Sequence, residues 1–124
     1  MERVVDLDEA ASAVADRQPA WQAAGLLAEP VTWRDEAAAP WPQQLTAERS
    51  QINDPDSVGI HLRSLNEAEL LVVLYRGGWA DIDYIVDADD AGVIPSPKVT
   101  SVQAFASLLD ACITRVFGIS YDVK

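Results

Sequence analysis

The stretch ELLVVLYRGGWADIDYIV, residues 69 to 86, constrains the fold more than any other part of the chain. Two β-prone segments flank Gly77-Gly78, and a glycine pair supplies the positive φ angles of a two-residue hairpin at no steric cost. ELLVVLYR (69 to 76) is apolar at consecutive positions from Leu70 to Tyr75, which suits a central strand covered on both faces, and WADIDYIV returns antiparallel to it. Upstream, SVGIHLRS (57 to 64) alternates Val58, Ile60 and Leu62 with Gly59, His61 and Arg63, a strand with two unlike faces. Pairing outward from Gly77-Gly78 sets Tyr75 against Ala80, Val73 against Ile82 and Leu71 against Tyr84. A four-residue loop from Leu65 to Ala68 then sets Leu62 against Leu71, Ile60 against Val73 and Val58 against Tyr75. Both hairpins place one apolar set on one face, so a three-stranded meander is expected.

Helical signals flank this meander. Residues 7 to 17 carry Leu7, Ala11, Val14 and Ala15 on one stripe, with Asp8 and Glu9 at the positive end of the dipole. Pro19 should end that helix and open a second, short one that stops at Gly25. From Glu29 to Asp56 prolines interrupt every pattern, and only VTW (31 to 33) and SQI (50 to 52) suggest strands. After Pro95 and Pro97, Val102, Phe105, Leu109, Cys112, Ile113 and Val116 recur at helical spacing. Thr100 with Gln103 reads as a capping box and Gly118 as the helix-ending glycine, while ISYDV (119 to 123) alternates like a last short strand. The helix over 101 to 117 should cover Ile60, Val73 and Ile82. The expected fold is α+β: an antiparallel meander sheet of three to four strands with helices packed on it. It forms a single domain over 1–124, with residues 1–56 helical and irregular and residues 57–124 the sheet-helix core.

Charge narrows the partners. Nine lysines and arginines face twenty aspartates and glutamates, a net charge of −11. Such a chain repels phosphate backbones and anionic lipid, so neither nucleic acid nor membrane is expected as a partner, and a basic protein is. LLVVLY, the longest strongly apolar run, is far short of the roughly 20 residues a membrane span needs. The start MERVVDLDEA lacks an apolar signal region and Cys112 is the single cysteine, which together point to the cytoplasm.

The candidate site lies in YRGGWADIDYIVDADDAG, where Asp81, Asp83, Asp87, Asp89 and Asp90 crowd together with no lysine or arginine between Arg76 and Lys98. A calcium loop is disfavoured, because Ala91 stands at the fifth position and Lys98 at the twelfth, where oxygen ligands belong. Asp81 and Asp83 share a strand face about 7 Å apart, yet nothing marks the desolvated pocket that acid-base catalysis needs. With His61 the single histidine and Cys112 on a core stripe, no catalytic constellation, metal site or cofactor is expected. The same register puts Leu70, Val72, Leu74, Trp79 and Ile85 on the second sheet face with Arg63, Asp81 and Asp83. Either the N-terminal helices or the Trp33 and Trp41 segment cover this face, or it binds a protein through Trp79 as anchor and the aspartates as rim. Arg76 would stack on Trp79 across the hairpin.

The pattern GGWADIDYIVDADDAG, a proline-containing break and VTSVQAFASLLDACITRVFG resembles the small bacterial immunity proteins of polymorphic and contact-dependent toxin systems, in particular the TriTu immunity group. The likeness spans about residues 57 to 118. It implies a cytoplasmic antitoxin, without enzymatic activity, that binds and blocks a cognate toxin domain. The partner-binding residues expected from the sequence are Trp79, Asp81, Asp83, Asp87, Asp89 and Asp90, and the chain is expected to be a monomer or weak homodimer. The alternative is a secretion chaperone or adaptor protein without catalysis.

Overall fold

The computed structural model describes residues 3–35, 45–95 and 98–121. Its elements are α1 (Leu7–Ala23), β1 (Leu27–Ala28), β2 (Thr32–Asp35), a 3-10 turn at Arg49–Gln51, β3 (Pro55–Arg63), β4 (Glu69–Tyr75), β5 (Trp79–Asp87), β6 (Asp90–Val93) and α2 (Val102–Phe117). The class is α+β, with both helices on one face of an antiparallel sheet. The described sheet has six strands: β3, β4 and β5 form the expected meander, β6 extends it beyond β5, and β1 and β2 share the other edge of β3. Strand β6 had no sequence signal, since Asp90, Ala91 and Gly92 are poor strand formers that pairing with β5 overrides. SQI forms the 3-10 turn instead of a strand, and Ile119 to Tyr121 lie in none, while residues 122 and 123 fall outside the described residues.

The meander register differs from the expected one by a single residue at both connections. Tyr75 pairs with Trp79, Leu74 with Ala80 and Val72 with Ile82. On the other side, Leu62 pairs with Leu70, Ile60 with Val72 and Val58 with Leu74. The hairpin turn has three residues, Arg76, Gly77 and Gly78, because Arg76 does not pair with β5: its N–H donates to the Asp56 carbonyl at 3.0 Å and its carbonyl accepts from Val4 and Val5 at 2.7 and 3.1 Å. Gly78 takes φ 95° and donates to the Tyr75 carbonyl at 3.0 Å, the geometry of a turn closed by one left-handed glycine. The loop before β4 likewise has five residues, Ser64 to Ala68, with Glu67 at φ 70°. These two changes reverse the parity of β4 alone. Leu70, Val72 and Leu74 are fully buried on the helix side, whereas Val73, expected beneath the C-terminal helix, lies on the opposite face with Leu71 and Tyr75.

The core lies between the helices and the face formed by Val58, Ile60, Leu62, Leu70, Val72, Leu74 and Ile82. α2 contributes Phe105, Leu109, Cys112, Ile113 and Val116 and ends at Gly118 with φ 71°, as its spacing suggested. Its cap is Ser101 rather than Thr100: the Ser101 hydroxyl accepts from the Ala104 N–H at 3.0 Å.

Helix α1 does not stop at Pro19 but runs through it. A proline inside a helix costs about 3 kcal/mol through the lost hydrogen bond and ring clash. Tertiary contacts on both sides of it offset that cost. Before it, the Arg17 guanidinium grips Asp110 of α2 at 2.8 and 3.1 Å. Beyond it, the fully buried Trp21 donates through Nε1 to the Tyr121 hydroxyl at 2.8 Å, which donates to the same Asp110 at 2.7 Å. Burial alone would raise the Asp110 pKa, but its bonds to Arg17 and Tyr121 hold it below the usual carboxylate value, and burial pushes Tyr121 up to about 12. The helix ends in a Schellman motif in which Gly25, at φ 86°, donates to the Gln22 carbonyl and Leu26 to that of Trp21.

The turn glycines give separable expectations. A Cβ at Gly78 would adopt a positive φ and press on the Val99 carbonyl at 3.1 Å and Val4 at 3.0 Å. Gly78→Ala should therefore cost about 1–3 kcal/mol in urea unfolding. At Gly77 the atoms nearest an added Cβ all belong to the Trp79 ring, whose half-exposed indole can swing aside, so Gly77→Ala should alter tryptophan fluorescence more than stability. Equal losses in the two variants would contradict this account of the turn.

Candidate protein-binding face

The face turned away from both helices is built row by row from the register. Trp79, Tyr75, Ser57 and Arg34 form the row nearest the hairpin turn; Asp81, Val73, Gly59 and Thr32 form the next. Then come Val93, Asp83, Leu71 and His61, followed by Ala91, Ile85, Glu69 and Arg63. Trp79, Asp81, Asp83, Ile85 and Arg63 thus share one face as expected, while Leu70, Val72 and Leu74 belong to the core and Leu71, Val73 and Tyr75 stand in their place. The charges of WADID fix the parity of β5, whereas β4 is apolar from Leu70 to Tyr75 and carries no such mark within that run.

Neither the helices nor Trp33 covers this face. α1 and α2 pack on its opposite side, and Trp33 is buried there too, paired with Val58 and capped by the Arg49 guanidinium 5.1 Å from its ring. Trp41 lies outside the described residues. Leu71, Trp79, Ile85 and Val93 remain 39%, 43%, 46% and 67% exposed, a large apolar content for one open face.

Trp79 stacks on Tyr75, with ring centroids 5.2 Å apart and 18° between planes. Arg34 lies 5.5 Å over the same Tyr75 ring and is paired with Asp56. The cation of this stack is therefore Arg34; Arg76, expected on Trp79, is buried in the turn and bonds Asp54. Burial, the Asp81 charge and a hydrogen bond to Asp81 raise the Tyr75 pKa, so its neutral phenol serves as donor to that carboxylate.

The aspartates divide by partner. Asp90 turns toward α2, where Arg115 bonds both its oxygens at 2.9 Å and Tyr84 donates to it at 3.0 Å. The Arg115 pairing lowers its pKa. Asp87 and Asp89 sit at the β5–β6 hairpin, the Asp89 N–H donating to Asp87 at 2.8 Å. No cation pairs with Asp81, Asp83, Asp87 or Asp89 among the described residues. All seven arginines, by contrast, are tied to a carboxylate of the chain itself. Cys112 is buried in α2, and burial raises its pKa. No cluster of three or more potential metal ligands occurs among the described residues.

A second feature, without a sequence signal of its own, is His61 held between two glutamates. Nδ1 meets Glu29 at 2.6 Å and Nε2 meets Glu69, while Glu29 also takes the Arg63 guanidinium at 3.3 Å. Glu29 follows β1 and is distant in sequence, so only the pairing of Leu27 with Arg63 brings it there. None of the described helices is long and apolar enough to cross a membrane. In comparisons with known proteins, no family model, curated protein or solved structure matches the chain.

The histidine clamp has a definite pH signature. Burial works to lower the His61 pKa, but the bonds to Glu29 and Glu69 outweigh it and the net shift is upward. A raised folded value means that the stabilisation is fully present below the unfolded pKa near 6.5 and is lost as pH rises through the folded one. Glu29 is shifted downward by the His61 bond, so its share is present above its ordinary 4.5 and is lost as pH falls through the lowered value. The clamp is thus strongest between about pH 4.5 and 6.5. An NMR titration should place His61 above 6.5, and in the Glu29→Gln/Glu69→Gln double variant, where burial alone acts, at or below it.

Proposed function

We propose that this chain is a cytoplasmic immunity protein that binds a basic toxin domain and blocks it, without catalysis of its own. The observation that carries the reading is the open sheet face: Trp79, Leu71, Ile85 and Val93 are exposed beside Asp81 and Asp83, which have no cation partner among the described residues, on a chain of net charge −11. An apolar centre with a charged rim suits a protein interface, and the excess negative charge would speed encounter with a basic partner. The likeness of residues 57 to 118 to toxin-immunity proteins points the same way. The exposed apolar strip also suits self-association, which favours the chaperone or adaptor reading if the chain is a homodimer. A one-to-one complex of a monomer favours immunity.

Co-expression with the product of the reading frame directly upstream tests the class, with protection from growth arrest as the readout. In the purified complex, replacing Asp81, Asp83, Asp87 and Asp89 by asparagine should slow association at low salt by about tenfold or more and flatten its salt dependence. Asp90→Asn combined with Arg115→Gln should leave the association rate nearly unchanged, because the charges of that pair already cancel. Trp79→Ala should act on dissociation instead. A four-asparagine variant that associates at the wild-type rate at low salt would remove the acidic face from the interface.

A further inference from the structure

The apolar strip and the unpaired acid lie together at one end of the open face. Asp83 stands between Leu71 on β4 and Val93 on β6 in the same row, and Ile85 follows two residues along β5. Ala91 opposite Ile85 is small, and the surface dips into an open groove of about 440 Å³ whose lining includes His61, Glu69, Leu71, Asp83 and Ile85. Asp83 has no ion-pair or hydrogen-bond partner among the described residues. The nearby cations are already engaged: His61 by Glu29 and Glu69, Arg63 by Glu29. We infer that this groove receives a cationic, amphipathic segment of the partner, with an arginine on Asp83 and the next apolar side chain over Leu71 and Ile85. This rests on the partner-binding reading above and names the chemistry of the segment bound.

Charge selects that occupant over the others. An acidic segment would meet Asp83 and Glu69 with no free cation nearby to receive it, and a wholly apolar one would bury the Asp83 carboxylate unpaired. A second copy would bring another chain of net charge −11 against the first. An arginine instead satisfies the carboxylate with two parallel hydrogen bonds while its flat guanidinium and methylene stem lie along the apolar floor.

The test uses the full chain, isotope-labelled, titrated with the peptide acetyl-Leu-Arg-Leu-Arg-Leu-amide and followed by NMR. Saturable shifts should centre on residues 69 to 73, 81 to 85 and 91 to 93. Asp83→Asn, an exposed and nearly isosteric change, should weaken binding by roughly tenfold, as should Ile85→Ser, while Asp87→Asn should have little effect. Shifts centred on 87 to 90, an equal response to the Ser-Arg-Ser-Arg-Ser peptide, or unaltered binding by Asp83→Asn would each overturn the inference. So would concentration-dependent dimerisation abolished by Ile85→Arg, which would give the strip to a second copy. Toxin protection that survives both Asp83→Asn and Ile85→Arg would sink the groove alone and leave the immunity reading standing. Peptide binding at the groove without protection by the wild-type chain would sink the immunity reading alone.

Discussion

The turn at Arg76, Gly77 and Gly78 is the point on which the rest of the molecule is hung. Its backbone sets the β4–β5 register, and its carbonyls accept from both flanking parts of the chain: Arg76 from Val4 and Val5, Gly78 from Val99 at 2.8 Å. The segments leading into α1 and α2 are therefore fastened to one hairpin, which fixes where both helices cross the sheet. The Arg76 side chain, buried and bonded to Asp54, ties the same turn to the start of β3. Asp35 reinforces that junction by accepting from the Asn53 and Asp54 N–H groups at 3.0 and 3.1 Å. A two-residue turn would leave Arg76 in the ladder and forfeit these contacts, so tertiary demand outweighs the local preference of a glycine pair.

That outcome shows where the sequence was legible. Strands β3 and β5 alternate in polarity, and their faces were readable: Ile60 and Ile82 lie beneath the helices, Trp79, Asp81 and Asp83 opposite. Strand β4 is apolar at every position from Leu70 to Tyr75, so a one-residue slip costs its pattern nothing, and its parity hung on the two loop lengths. Both loops are one residue longer than their residue types suggested. Equal errors on both sides of one strand leave its neighbours mutually aligned, so agreement between the two hairpins could not expose the slip. Pro19 and β6 were illegible for a related reason: each depends on partners distant in sequence, Asp110 and Tyr121 for the helix, β5 for the edge strand.

Internal pairing also explains which acidic residues are left without a cation among the described residues. With seven arginines all bound to carboxylates, the fold uses up most of its positive charge within itself, on Asp8, Glu29, Asp54, Asp56, Asp90 and Asp110. Asp90 could not be told from its neighbours by composition, because the cation that claims it stands twenty-five residues away on α2. Asp81 and Asp83 escape such pairing for a geometric reason. They point from β5 to the face opposite the helices, where the arginines present, Arg34 and Arg63, are committed to Asp56 and Glu29.

The open face is thereby left with unbalanced charge and uncovered apolar surface in the same place, and these two features constrain each other. Apolar side chains on a sheet face of a monomer favour self-association or further strand pairing, and charges set among them oppose it. Asp81 and Asp83 alternate with the buried Ile82, so they hold the face polar without disturbing the core beneath. The Trp79–Tyr75–Arg34 stack occupies the hairpin end of the face, and the His61 clamp ties the far end to β1 through Glu29. Between these two ends, Leu71, Asp83 and Ile85 form an exposed apolar surface that carries a negative charge. Specificity on such a surface comes from the cost of leaving Asp83 unpaired beneath a wrong partner as much as from the gain of pairing it with the right one.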